Sequence, residues 1–262
     1  MNTIRDKLWL FGMPVIDRHR RRDWLPPGHL MTATEAACYL GIPNALWVVQ
    51  HNFPEPPFDS YARPLSALKR VVWSVLGDSS SDRSDVDEVL RLAERFPNIT
   101  GGILDDFFQK PNGEGRVARF GLQELEQLRD RLHAAVRRLD LWAVIYAHQL
   151  DLPVEEYLER CDVITFWTWW ADHLTELEGN FTRLEAMAGR KRKLLGCYLI
   201  DPGGEKLIPL ELMKRQCELG LKWLREGRVE GLILLGNPMC GLGLEAVEWT
   251  REWISEVGER PL

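Results

Sequence analysis

Gly101-Gly102-Ile103-Leu104-Asp105-Asp106, a segment of helical period from Leu122 to Leu139, and Leu141-Trp142-Ala143-Val144-Ile145-Tyr146-Ala147-His148 form, in that order, the stretch that decides the fold. Both outer runs are short, apolar on consecutive residues and closed by polar side chains, the pattern of parallel strands buried on both faces. The segment between them places Leu125, Leu128, Leu132, Val136 and Leu139 on one helical face. A strand, a helix and a second strand in succession make one crossover unit of a parallel sheet.

Outward from this stretch the same unit recurs. Further strand-like runs lie at Lys7 to Gly12, Ala45 to Gln50, Val71 to Gly77, Val163 to Trp169, Leu194 to Asp201 and Gly231 to Asn237, which brings the number to eight. Helical spacing is found at Thr34 to Leu40, Asp85 to Phe96, Val154 to Cys161, Leu177 to Ala188, Leu210 to Arg225 and Leu244 to Val257. Eight units favour a single (β/α)8 barrel, an α/β fold, over an open doubly wound sheet. The 262 residues match one such barrel and leave little for a second domain. In either architecture the strand C-termini carry the site. Three long connections, Met13 to Thr32, His51 to Arg63 and Phe107 to Phe120, follow strands on that side and are expected to wall the mouth.

Composition narrows the partners. With 45% hydrophobic and 27% charged residues the chain is an ordinary globular one, and its net charge of −6 argues against nucleic acid. Arg18, His19, Arg20, Arg21 and Arg22 form a basic run between Asp17 and Asp23, expected to be a solvated loop. The five cysteines contain no CxxC pair and are expected as small buried hydrophobes, without disulfides or zinc. Neither a signal-like segment nor an apolar stretch of about 18 residues is present, so a cytoplasmic protein without a membrane partner is expected.

The strand ends carry the chemistry. Asp105 and Asp106 close the fourth run, and period-2 alternation sends one inward and the other outward. Asp201 closes the seventh run before Pro202. Strands four and seven lie nearly across an eight-stranded ring, so Asp201 is placed to face an inward Asp105 or Asp106 over a pocket. Two opposed carboxylates suit hydrolysis of a glycosidic bond, one protonating the departing oxygen and the other attacking the anomeric carbon or activating water. Tyr146 and His148 share a face at the end of the fifth run, and His51 follows the second. The sixth run ends Phe166-Trp167-Thr168-Trp169-Trp170, and Trp167 and Trp169, of equal parity, suit the apolar face of a sugar ring. Trp9, Trp47, Trp73 and Trp142 lie inside other runs and are expected in the core. Asn237 opens a glycine-bearing loop after the eighth run.

With these segments the chain resembles the glycoside-hydrolase-like branch of (β/α)8 barrels. The resemblance implies acid, nucleophile or base roles for Asp105, Asp106 and Asp201, and sugar contacts for Trp167, Trp169, His148 and Asn237, with Tyr146 and His51 in the same wall. Many such barrels use Glu at strands four and seven, whereas the strand-end acids here are Asp. A small-molecule or oligosaccharide substrate is expected, with no cofactor and no metal. Two other readings stand beside it. One is a metal-dependent lyase, isomerase or hydrolase with mixed ligands from His51, Asp106, His148 and Asp201. The other is a sugar-binding barrel without turnover.

Overall fold

A computed structural model describes residues 3–15, 23–81, 83–111 and 115–262. Among them, eight parallel strands close into a barrel in sequence order. The strands are β1 (Leu8–Gly12), β2 (Asn44–Trp47), β3 (Arg70–Leu76), β4 (Ile99–Leu104), β5 (Asp140–Tyr146), β6 (Val163–Trp167), β7 (Arg192–Tyr198) and β8 (Gly231–Leu235). Each is followed by a helix: α1 (Ala33–Leu40), α2 (Asp59–Leu65), α3 (Val86–Arg95), α4 (Leu122–His133), α5 (Glu155–Arg160), α6 (Leu177–Ala188), α7 (Leu210–Arg225) and α8 (Glu245–Val257). The expected single (β/α)8 barrel is therefore present. Among the described residues no helix is long and apolar enough to cross a membrane.

Two elements depart from the sequence reading. Helix α2 occupies part of the stretch expected as a Pro-stiffened loop; it is seven residues long and contains Pro64, too short for its period to be legible. Helix α4 stops at His133 rather than Leu139. The chain turns there, Leu139 N–H donating to Leu132 O at 3.1 Å, and Val136 is left 70% exposed. The basic run at Arg18 to Arg22 lies outside the described residues. Four of the cysteines are buried as expected, but Cys38 is exposed.

Alternation along the strands sorts the interior into two cores. Outward side chains pack against the helices, for example Val86, Val89, Leu92 and Ala93 of α3. Helix α1 starts at a capping box in which Thr32 and Glu35 satisfy each other's backbone N–H groups. Inward side chains form a separate cluster on the barrel axis that includes Trp9, Val72, Ile103, Trp142, Val163 and Trp167. At its lower end Trp9 and Trp142 meet edge to face at 5.1 Å, and the Arg70 guanidinium lies 4.6 Å from the Trp9 ring. Trp47 and Trp73 pack on the outer side of the sheet, so all four tryptophans expected in the core are there.

The upper end is closed by one large side chain. Trp167 is only 1% exposed and donates from Nε1 to Thr165 Oγ1 at 2.9 Å. Gly196 of β7 makes room for it: a Cβ at that position would lie 2.0 Å from Trp167 Cδ2. Gly196→Ala is expected to destabilise the barrel by about 1–3 kcal/mol, the usual cost of overpacking, read as a lower urea midpoint at unchanged m-value.

Candidate active site

Above Trp167 the barrel opens into a cavity of about 320 Å³, at the small end of ligand pockets. Its walls are aromatic. Phe11 meets Trp167 edge to face at 5.4 Å, Tyr198 lies 5.0 Å from Trp167, and Trp169 stands edge-on to both Tyr146 at 5.7 Å and Tyr198 at 5.8 Å. These residues sit at or just beyond the ends of β1, β5, β6 and β7, all on the inward parity. Trp167 is thus the floor and Trp169, half-buried, a wall.

Both acids that follow β4 line this cavity, for different reasons. Asp105 continues the inward parity of Gly101 and Ile103, and its N–H donates to Leu76 O at 3.0 Å, extending the β3–β4 ladder. Asp106 would face outward, but its φ of +42° is left-handed and breaks the alternation. Its Oδ1 accepts from Tyr146 Oη at 2.7 Å and its Oδ2 from Ser79 N at 3.0 Å. The sequence left open which Asp points inward, and the backbone twist brings both to the pocket.

Burial pushes the Asp105 carboxyl well above the ordinary carboxylate range, and the negative charges of Asp106 and Asp78 push it further. The Asp106 N–H and Arg119 oppose that shift without reversing it. Burial and the neighbouring acids likewise raise Tyr146 and Tyr198, so both phenols keep their protons. The site therefore holds a carboxyl pushed toward its protonated form beside a carboxyl group whose two oxygens both accept hydrogen bonds.

The polar rim comes from the loops after β2 and β3. Asp78 Oδ1 accepts from His51 N at 3.0 Å, Ser80 Oγ at 2.8 Å and Ser81 Oγ at 2.9 Å. The Ser80 hydroxyl is also hydrogen-bonded to His51 Nδ1, and His51 Nε2 lies 3.9 Å from Asp78 Oδ2. Arg119 fixes this rim from behind, donating to the carbonyls of Gly77 at 2.9 Å and Asp78 at 3.1 Å and to that of Ser81. His51 is thus in the pocket wall. His148 lies further out in a 3-10 turn (Ala147–Gln149), its ring stacked on Tyr146 at 5.3 Å. Burial lowers the pKa of His148 against the pull of Asp106, which keeps it neutral at neutral pH.

Besides His148, two expected site residues do not reach the cavity. Asp201 is 3% exposed, and its Oδ1 accepts from Ala171 N at 3.1 Å and Gly204 N at 3.0 Å, with Lys206 Nζ 3.7 Å from Oδ2. It ties the loop after β6 to the loop after β7 and does not face Asp105 across the pocket. Asn237 is fully buried: Oδ1 accepts from Met13 N at 2.9 Å and Nδ2 donates to Met31 O at 2.7 Å. Both amide ends are used in holding the loop after β1. Because Asp201 is turned away, the mixed ligand set of His51, Asp106, His148 and Asp201 is not assembled. Among the described residues no group of three or more His, Cys, Asp and Glu side chains is arranged to hold a metal ion.

Several lining residues escaped the sequence reading: Phe11, Asp78, Ser79, Ser80 and Tyr198. Asp78 follows the third run directly after Gly77, and Tyr198 shares the inward parity of Leu194 in the seventh. The strand-end argument that found Asp105 and Tyr146 would have found these two.

No protein-family model matches the chain, and no curated protein matches it in sequence. Solved structures do match in shape. A protein of Bacteroides thetaiotaomicron described as a candidate α-L-fucosidase superposes with a TM-score of 0.62 at 9% identity, covering 98% of each chain. The GH113 β-mannanase of Alicyclobacillus acidocaldarius gives 0.58 at 12% identity, over 98% of this chain and 99% of that one. A xylanase and α-amylase inhibitor protein, solved with trehalose, gives 0.55 at 13% identity over 96% and 98%. At such identities the likeness is one of fold. The chain folds as a glycoside-hydrolase-like (β/α)8 barrel.

Proposed function

We propose that this protein is a carbohydrate-active hydrolase whose acid is Asp105 and whose partner carboxylate is Asp106. The observation that supports the reading is Asp105, buried and pushed toward its protonated form, beside Asp106 in an aromatic-walled pocket. A carboxyl that keeps its proton at neutral pH is what protonation of a glycosidic oxygen requires. Asp105 gives its proton to that oxygen as the bond to the anomeric carbon breaks. Asp106 takes a proton from the water whose oxygen joins the anomeric carbon. The departing alcohol leaves with one proton, the sugar keeps the new hydroxyl, and the proton on Asp106 returns to Asp105 to close the cycle. Tyr146 orients Asp106 through its hydroxyl. Trp169, Tyr198 and the Trp167 floor provide ring faces for the sugar, and His51, Asp78 and Ser80 provide donors and acceptors for its hydroxyls.

The shared fold supports this reading, since the fucosidase-like and mannanase neighbours are built on the same barrel. A sugar-binding barrel without turnover is favoured by one observation, that Asp105 and Asp106 come from one strand end while Asp201 is engaged elsewhere. Ligand-dependent quenching of tryptophan fluorescence without product would select that reading.

Turnover of a panel of 4-nitrophenyl glycosides and oligosaccharides decides between them. Asp105→Asn and Asp106→Asn are each expected to lower kcat by roughly 10²–10⁴-fold, the usual contribution of a positioned acid or base. Activity of the wild type is expected to fall as pH rises through the elevated pKa of Asp105, and the Asn variant should lack that limb. Equal activity of wild type and both variants would remove the two acids from the mechanism.

The same acid has a cost in stability that can be measured without substrate. Asp105 ionises at an ordinary pKa in the unfolded chain and at a raised one in the fold. It therefore costs nothing below the unfolded pKa and destabilises progressively as pH rises toward the folded value, by about 1.4 kcal/mol per pH unit in that window. Asp105→Asn is expected to melt higher than wild type near pH 7, with the difference shrinking toward about pH 4. A Tm difference independent of pH would show that Asp105 is not held protonated.

A further inference from the structure

Among the described residues the barrel mouth carries a further cavity beside the one above Trp167. The second, about 350 Å³, lies beside the first and shares Ser79, Asp106, Tyr146 and Trp169 with it. Asp106 and Tyr146 are joined by the 2.7 Å hydrogen bond, so that pair forms the ridge between the lobes. A molecule that enters both lobes lies against the residues they share, Asp106 among them.

The outer lobe has a chemistry of its own. Its conspicuous polar side chains are already engaged. Gln149 accepts from Tyr146 N at 3.0 Å and donates to Phe108 O at 3.0 Å, while Arg119 spans the carbonyls of the β3 loop. The lobe offers ring faces instead. His148 stacks on Tyr146 with the planes 12° apart and meets Trp170 edge to face at 5.4 Å. Trp170, in the loop after β6, is 36% exposed, whereas the strand tryptophans Trp9, Trp47, Trp73, Trp142 and Trp167 are buried. The Trp170 indole is positioned closely: a Cβ on Gly203 would lie 2.3 Å from its Cδ1, and Gly203 N donates to Trp169 O at 3.1 Å. Asp201, accepting from Ala171 N and Gly204 N, clamps the two loops that make this contact.

We propose that the outer lobe is the binding site of the leaving group: an uncharged ring with an apolar face, pyranose or aryl, attached to the sugar held in the deep lobe. The bond to be cleaved then crosses the Asp106–Tyr146 ridge. Trp170 and His148 are the residues that recognise the departing ring, and Asp201 is a positioning residue that acts through Trp170. The inference rests on the hydrolase reading for the word leaving, but the two-lobed recognition can be tested without turnover.

The experiment is calorimetric titration of the Asp105→Asn protein with 4-nitrophenyl glycosides of mannose, fucose, galactose and glucose, each compared with its free monosaccharide. For the sugar that binds, the nitrophenyl glycoside is expected to bind on the order of tenfold more tightly, as one additional ring stack allows. Adding Trp170→Ala should abolish the difference, and His148→Ala should reduce it. Trp170 is at the surface, so its loss leaves the barrel core intact, which the melting temperature verifies. Matching disaccharides tell a pyranose from an aryl preference. Equal affinities for glycoside and free sugar, a difference that survives Trp170→Ala, or no binding of either probe would overturn the proposal. A Trp170-dependent difference in a protein whose wild type cleaves none of the glycosides would retain the two-lobed site and discard the hydrolase reading.

Discussion

Closure of eight parallel strands around one axis is the constraint on which the remaining features depend. In a closed ring no edge is available for the inward side chains to escape to, so every second residue of every strand competes for the same volume. Trp9 and Trp142 fill it below and Trp167 fills it above, the latter only because β7 offers Gly196 opposite the indole. What lies beyond Trp167 is enclosed by strand ends on all sides and floored by an apolar ring. A carboxyl that continues the inward parity at that level is desolvated by the geometry of the barrel itself. The raised pKa of Asp105 is therefore a consequence of closure, reinforced by Asp106 and Asp78.

The barrel was legible because its strands obey a simple rule. Residues buried on both faces must be apolar at consecutive positions, and runs of that kind at eight places, separated by helical spacing, admit few architectures. Helix α2 was not legible because seven residues hold only two turns, and Pro54, Pro56 and Pro57 before it and Pro64 within it argue locally for a loop. The ends of the strands were legible by type and less so by orientation. Parity placed Tyr146, Trp167, Trp169 and an inward Asp correctly at the mouth. It failed at Asp106, where a single left-handed residue turns the chain. Nothing in Asp-Asp-Phe-Phe announces that φ, although Asp is among the few side chains that tolerate it.

Asp201 and Asn237 illustrate a different limit. A polar residue at a strand end has two competing callers, the substrate and the unpaired backbone of the loops that begin there. Sequence position is the same in both cases. The loops after β6 and β7 leave the N–H groups of Ala171 and Gly204 pointing at one place, and the loop after β1 leaves Met13 N–H and Met31 C=O within reach of one amide. Such loops are long and irregular, so their backbone demand is high and cannot be met by secondary structure.

Comparison of Asp105 with Asp201 shows what separates a carboxyl that can do chemistry from one that holds a fold. Both are nearly inaccessible, at 6% and 3% exposure, and both close a strand run. Asp201 is surrounded by compensation: two backbone N–H groups on Oδ1 and the Lys206 ammonium 3.7 Å from Oδ2. Such a group holds together the two loops it joins through its hydrogen bonds. At Asp105 competition outweighs compensation: burial and the like charges of Asp106 and Asp78 exceed the pull of the Asp106 N–H and Arg119, while the Tyr146 phenol donates to its neighbour instead. The fold gains nothing from leaving Asp105 in that position, since an amide or an apolar side chain would fill the same volume without a charge to suppress. On the proposed reading, an acid held where burial favours its protonated form suits a site that must release a proton on demand, with the Asp106 carboxyl beside it as the partner that takes one from water.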